Sequence, residues 1–170
     1  MTEELFSVGT TKSATISADG VYRYSLTRRW SHNETAFATF VMLNPSTADA
    51  DFDDRTIRRC IGFAKAWGLG GLHVVNLYAL RSTDPRALWE SADPVGPEND
   101  KWIELHATSA TNSGTPLIAA WGANAKSERV RSVVALPGMQ SLSSLSVTKA
   151  GTPGHPLYLK GDSLPKPWAP

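Results

Sequence analysis

The chain has 170 residues, of which 41% are hydrophobic and 19% charged, a composition typical of one folded domain and unlike that of a disordered chain. Its 17 Lys and Arg residues nearly balance 16 Asp and Glu residues, so the net charge of +1 excludes a global basic field, and any nucleic-acid contact must be local. The single cysteine excludes an intrachain disulfide and a cysteine-rich metal site. The four histidines lack metal-binding spacing, and we expect neither a metal nor a cofactor.

The N-terminal residues lack the basic start and apolar run of a signal peptide, and no run of about 18 apolar residues occurs. We therefore expect a cytoplasmic protein without membrane contact. Residues 1–170 should form one domain that acts as a monomer, with an N-terminal hairpin in residues 1–30 and a proline-rich surface tail in residues 161–170.

Two strand-like runs flank Asp19-Gly20, a dipeptide typical of tight hairpin turns, so the chain should open with a β-hairpin. Residues 36–43 form a nearly continuous apolar run of strand length that stops at Asn44-Pro45. This run is the predicted first core strand.

A helix is predicted over residues 55–67, where apolar residues recur at helical spacing between an Asp53 or Asp54 N-cap and Gly68. Residues 72–77 form the second predicted strand. Asp84-Pro85 then has the pattern of an N-cap followed by proline at the first helical position, which predicts another helix.

Further along the chain, a helix is predicted through Trp102, a third strand over residues 117–121 and a helix over residues 126–136. Residues 142–147 form a weaker fourth strand. The alternation predicts an α/β fold, a three-layer α/β/α sandwich with a central, mainly parallel four-stranded sheet and an N-terminal β-hairpin.

Ligands of such sheets bind at the carboxyl ends of the strands. Four residues of suitable chemistry lie at or after the ends of the four predicted strands, in order: Asn44, Asn76, Trp121 and His155. We expect these residues to form one site.

Motifs at these strand ends resemble the site segments of the uracil-DNA glycosylase superfamily: residues 43–46, 75–77, 120–122 and 154–157. Residues 40–85, with Thr148-Lys149 and the run 155–158, also resemble the DUF1643 family over nearly the whole chain. Two positions depart from the glycosylase motifs, because Met42-Leu43 replaces a glycine-containing turn and Leu157 replaces the serine after His-Pro.

The glycosylase resemblance implies hydrolysis of the bond between deoxyribose and a flipped-out base in DNA. We expect that base to be a modified or damaged pyrimidine. It implies that Asn44 positions the attacking water, His155 stabilises negative charge on the departing base and Asn76 reads that base. Leu157 or Tyr158 would enter the DNA stack. These residue types suit the chemistry, because an amide orients water and a histidine donates to an anionic oxygen.

The remaining predicted contacts fall into two groups. Further base contacts come from Trp121 by stacking and from Ser46, Asp49 and Asp51, since an acidic loop suits a hydroxyl-bearing ligand such as a sugar on a modified base. Phosphate contacts come from Arg81, Lys149 and Arg55.

Structural interpretations compete with each of these roles. Asn44-Pro45 is also typical of an Asx turn, His155-Pro156 of a rigid turn, and the acidic loop of turn-making and capping rather than Mg²⁺ binding. The alternative functions are a transferase that remodels hypermodified bases, a nucleic-acid or nucleotide-binding module without catalysis, and a phosphohydrolase that uses the acidic loop.

Overall fold

The computed structural model describes residues 9–170, which form a mixed α/β fold of seven strands and four helices. The strands are β1 (Thr11–Ile16), β2 (Arg23–Arg29), β3 (Phe37–Met42), β4 (Gly71–Asn76), β5 (Leu117–Ala119), β6 (Leu142–Ser144) and β7 (Lys166–Pro167). The helices are α1 (Arg55–Ala66), α2 (Ala87–Glu90), α3 (Asn99–Ser113) and α4 (Ser127–Val134).

All seven strands belong to one sheet in the order β1-β2-β4-β3-β5-β6-β7. Strands β4, β3, β5 and β6 pair in parallel, whereas β2 pairs antiparallel with β1 and β4, and β7 pairs antiparallel with β6. The mixed α/β class is as predicted. The prediction of four strands in the sheet and an N-terminal hairpin gave too few strands to the sheet, because β2 of the hairpin joins it directly beside β4.

The core lies on both faces of this sheet because successive side chains of a strand point to opposite faces. Phe40 belongs to the apolar cluster that contains Ile57 and Phe63 of α1. Its neighbour Val41 belongs to a second cluster, which contains Ile103 of α3 and Val133 of α4. Helix α1 therefore covers one face, and α3 and α4 cover the other.

Helix α1 follows the predicted capping pattern closely. The Asp54 side chain accepts a hydrogen bond from the Ile57 N–H at 2.9 Å, which satisfies one free donor of the first turn. Gly68 beyond the other end has φ of 77°, a backbone conformation that glycine adopts without strain. The capping signals thus place this helix correctly to within one residue.

One expectation about the chain was wrong, and another was incomplete. The predicted helix at Asp84-Pro85 begins only at Ala87 and has four residues, because the Asp84 carboxylate bonds the backbone and side chain of Arg86 in a turn. The tail does more than cover the surface. Its residues Lys166–Pro167 form β7, and the Trp168 N–H donates to the Leu142 carbonyl at 3.1 Å. Proline is tolerated there because β7 is an edge strand.

A fully buried arginine fixes the loop between β3 and α1. The Arg28 side chain on β2 is 0% exposed, and its Nε donates to Asp53 Oδ1 at 2.7 Å. Its Nη2 donates to the carbonyls of Asp49 at 2.6 Å and Phe52 at 3.3 Å. Lys12 on β1 also pairs with Asp53, at 3.2 Å. Strand β2 thereby holds the loop that leads into α1.

Replacing Arg28 with methionine should destabilise the protein by about 3–5 kcal/mol, because the Asp53 carboxylate loses its buried partner and several carbonyls lose a donor. Urea unfolding followed by circular dichroism measures this change in the free energy of unfolding. Arg55→Met is the matched control: Arg55 is exposed, and its replacement should change stability by less than about 0.5 kcal/mol. Equal effects of the two substitutions would contradict the role of Arg28.

Two histidines pack against each other, with tilted rings, between Phe37 and Trp102 near the amino ends of β3 and β4. The His73 and His106 ring centroids are 4.5 Å apart, and Phe37 lies 5.0 Å from His73 on the other side. Thr27 Oγ1 lies 2.8 Å from His73 Nδ1. Burial, with a smaller contribution from His106, lowers the pKa of His73 to about 4, and burial also lowers the pKa of His106.

These histidines should make the fold sensitive to mild acid. Their pKa values are lower in the folded chain than the unfolded value of about 6.5, so the unfolded chain binds more protons below that pH. Stability should therefore be full above about pH 6.5 and fall as the pH drops towards 4. Urea midpoints at about pH 7 and pH 5 measure the loss, which His73→Phe should reduce. An unchanged loss in that variant would exclude His73 as its source.

Candidate functional site

A cavity of about 470 Å³ lies at the carboxyl ends of the parallel strands. Its walls come from the residues that follow β3, β5 and β6, from the end of β4 and from the first turn of α1. Seven of the predicted site residues line it: Asn44, Ser46, Asn76, Trp121, His155, Leu157 and Tyr158. The structure thus brings together residues from four distant parts of the sequence.

Asn44 follows β3 and is held by backbone carbonyls. Its Nδ2 donates to the carbonyls of Pro45 and Ser82, each at 3.0 Å. Because carbonyls can only accept hydrogen bonds, these contacts fix which end of the amide is nitrogen. The amide nitrogen therefore braces the backbone at the end of β3, whereas an Asx turn would need Oδ1 to accept a backbone N–H. The same contacts leave Oδ1 in a fixed position as an acceptor.

Asn76 is the last residue of β4, and its side chain is unusual. The residue is 1% exposed and lines the cavity, yet neither Nδ2 nor Oδ1 has a hydrogen-bond partner. Buried polar groups are almost always paired, and each unpaired one costs about 1–3 kcal/mol. The Asn76 backbone is satisfied, since its carbonyl accepts from Asn99 Nδ2 at 2.9 Å. The open donor and acceptor of Asn76 are thus available to a ligand.

His155 forms the N-cap of a 3₁₀ turn, Pro156–Tyr158. The Leu157 backbone N–H donates to His155 Nδ1 at 3.3 Å, so the neutral ring carries its proton on Nε2. Burial lowers the pKa of His155, and the Asp54 carboxylate opposes this shift. The ring is therefore a neutral donor at physiological pH.

Two glycines of the cavity wall, Gly154 and Gly122, lie beside His155. Gly154 precedes it, and a Cβ at Gly154 would lie only 2.0 Å from Ser146 Oγ. Gly122, which follows β5, has φ of 75° and approaches the His155 Cβ to 3.7 Å when a Cβ is built on it. A larger residue would thus clash with Ser146 at position 154 and would strain the backbone at position 122.

The cavity has a buried inner end and an exposed mouth. Trp121 is 2% exposed and meets Trp168 of the tail edge-on, with ring centroids 5.3 Å apart. Tyr158 is 85% exposed and Leu157 is 36% exposed. Apolar side chains therefore project beside the opening, where a large ligand would arrive.

Five predicted contact residues do not line the cavity: Asp49, Asp51, Arg55, Arg81 and Lys149. Asp49 Oδ1 accepts from the N–H groups of Asp51 and Phe52, each at 2.9 Å, so this carboxylate shapes the loop. Arg55 and Arg81 line two shallow grooves next to the cavity, and both grooves also include Ser46 and Thr47. Within residues 9–170, no cluster of three His, Cys, Asp or Glu side chains could hold a metal ion.

Two charged cavity residues were not predicted as ligand contacts. Arg23 on β2 is 2% exposed, and its Nη1 donates to the Ala48 carbonyl at 2.6 Å. Burial lowers its pKa to about 10, and Asp54 partly offsets this effect. Asp54 lines the cavity as well as capping α1. The sequence contained no signal for Arg23, because β2 was assigned to a separate hairpin.

A family model described as "Protein of unknown function (DUF1643)" matches residues 23–157. The chain belongs to the DUF1643 family. The region that matches DUF1643 begins at Arg23 and ends at Leu157, two residues of the cavity wall, and it contains every cavity residue named above except Tyr158. No curated protein matches the chain. No helix in residues 9–170 of this DUF1643 member is both long and apolar enough to cross a bilayer.

NMR titration can measure the pKa of His155 in this DUF1643 domain. We expect its pKa to lie below about 6.5, because burial disfavours the charged ring. Asp54→Asn keeps a capping side chain but removes the charge that favours protonation, so it should lower this pKa further. Asp93→Asn, outside the cavity, is the control. A His155 pKa that is unchanged by Asp54→Asn would contradict the assigned coupling.

Proposed function

We propose that the protein hydrolyses the N-glycosidic bond of a flipped-out modified or damaged base in DNA. The motif resemblance to the uracil-DNA glycosylase superfamily supports this proposal. The three-layer α/β/α fold of that superfamily is compatible with helices on both faces of this sheet. A cavity of about 470 Å³ is within the range of roughly 300–1,000 Å³ that is usual for small-molecule sites.

The unpaired amide of Asn76 is the observation that carries the proposal. Its side chain offers one donor and one acceptor in a plane, at a buried position in the cavity. The edges of nucleobases present neighbouring donors and acceptors of the same spacing, and asparagine reads them with paired hydrogen bonds. A base bound there would satisfy both atoms that the free protein leaves unpaired.

Asn44 and His155 supply the two remaining requirements of the reaction. The oxygen of a water molecule, oriented by Asn44 Oδ1, bonds to the anomeric carbon as the bond to the base nitrogen breaks. The electron pair of that bond leaves with the base, and the His155 Nε2–H donates to the oxygen on which negative charge develops. The proton lost by the water finally neutralises the base. The products are free base and an abasic deoxyribose.

The mouth of the cavity suits a strand of DNA whose target base has left the stack. Tyr158 and Leu157 project there as apolar wedges for the gap that a flipped base leaves. Arg55 and Arg81 lie in grooves on either side of Ser46 and Thr47, where flanking phosphates would run. Since the whole chain carries almost no net charge, such local contacts must provide the affinity.

Oligonucleotides that contain uracil, hydroxymethylcytosine or glucosylated cytosine, single- and double-stranded, test the activity. We expect alkali-sensitive abasic sites on at least one of them. His155→Ala should reduce the rate by about 100- to 1,000-fold, the effect of losing one donor to a developing oxyanion. Asn44→Ala should reduce it by at least about 100-fold.

Asp49→Ala and Lys149→Ala are controls outside the cavity, and circular dichroism verifies that each variant is folded. Activity that depends on Asp49 but survives Asn44→Ala would contradict the proposed site. Binding of DNA without abasic sites on any substrate would instead favour a binding module. Transfer of a group to the base with the glycosidic bond intact would favour the transferase.

A further inference from the structure

Arg23 is a buried cation without an anionic partner. Its side chain is 2% exposed and lines the cavity, and Nη1 is satisfied by the Ala48 carbonyl. Its Nε has no hydrogen-bond partner, and within residues 9–170 the guanidinium forms no ion pair within 4.0 Å. A buried charge is costly unless it is paired, so this group is arranged to receive an anion.

A local irregularity of β2 directs Arg23 towards the cavity. Thr15 lies opposite Ser25, but the next residue of β1, Ile16, lies opposite Arg23, so β2 contains one extra residue. Strict alternation would place Arg23 on the sheet face opposite to Leu26, whose side chain packs on the α1 side. The bulge brings Arg23 to that same side.

Arg23 and Asn76 line the same cavity from neighbouring strands, β2 and β4. They are the most buried of its polar residues, at 2% and 1% exposed. Because β2 lies beside β4, Arg23 is next to the residues that follow Asn76. Consistent with this, the Arg23 N–H donates to the Ala79 carbonyl at 3.0 Å. Tyr158 and Ser46, by contrast, are exposed residues of the cavity wall and therefore belong to its mouth.

We propose that Arg23 binds an anionic substituent, such as a carboxylate, on the base that contacts Asn76. The inference rests on the proposed function in placing a base against Asn76. It goes further because it specifies the substrate class: a base that carries negative charge on a group attached to its ring. A guanidinium suits a carboxylate especially well, since its planar fork of donors matches two oxygens.

The position of Arg23 argues against a backbone phosphate as its ligand. When a base enters a cavity edge first, its sugar and phosphates stay at the exposed mouth, whereas Arg23 is buried almost as completely as Asn76. Arg55 and Arg81, in the grooves outside, are placed for phosphates. The anionic group that Arg23 binds therefore belongs to the base and not to the DNA backbone.

Calorimetric titration of the full chain with deoxyuridine, its 5-carboxyl derivative and its 5′-monophosphate tests this assignment. We expect the carboxyl derivative to bind at least about tenfold more tightly than deoxyuridine, the gain of one charge-assisted hydrogen bond. Arg23→Met should abolish this preference, and Arg23→Lys should keep part of it. Asp54→Asn, which keeps a capping side chain and removes a negative charge from the cavity wall, should raise the ratio of carboxylate affinity to deoxyuridine affinity several-fold.

Equal binding of the carboxyl derivative and deoxyuridine would overturn the proposal, and so would an Arg23-dependent preference for the monophosphate. An Asp54→Asn variant without a raised ratio of carboxylate affinity to deoxyuridine affinity would also count against it, even if Arg23→Met failed to fold. Because calorimetry requires no turnover, a carboxylate preference without abasic-site formation would retain this inference and reject the glycosylase activity.

Discussion

The buried Arg28 guanidinium fixes the loop between β3 and α1, and the cavity depends on where that loop lies. Arg28 ties Asp53 and the carbonyls of Asp49 and Phe52 to β2, so the loop cannot swing away from the sheet. Asp54 follows immediately and begins α1, which places its carboxylate in the cavity wall. The contacts of Arg28, a residue outside the cavity, thereby determine the position of one side of the cavity wall.

The polar groups of the molecule are satisfied unevenly, and the exceptions are informative. The Asn99 Nδ2 donates to the carbonyls of Asn76 and Leu77. The Asn44 Nδ2 donates to the carbonyls of Pro45 and Ser82. These contacts hold the strand ends in place. Among the buried side-chain atoms without a partner in residues 9–170, both amide atoms of Asn76 and the Arg23 Nε belong to cavity residues, whereas Asn99 Oδ1 and His106 Nε2 do not. A protein that leaves such groups unpaired gives up stability, which is typical of sites built for a ligand.

Much of the cavity wall could be predicted from the sequence, because polar residues that end parallel strands converge on one edge of a sheet. Asn44, Asn76 and His155 were found in this way. Arg23 was not, since its position depends on a bulge and on the docking of β2 beside β4, which are long-range pairings without a local signature. The aspartates after β3 drew attention as ligands by their charge, yet Asp49 bonds its own loop and Asp53 bonds Arg28.

The tail links the end of the chain to the cavity through one aromatic pair. Trp168 meets Trp121 edge-on, and its indole Nε1 donates to the Gly151 carbonyl at 3.2 Å, in the segment that leads to His155. Trp121 therefore lines the cavity and also contacts a second indole. Indole emission responds to nearby polarity and stacking, so this pair gives the protein an intrinsic fluorescent reporter of cavity occupancy, readable without any label.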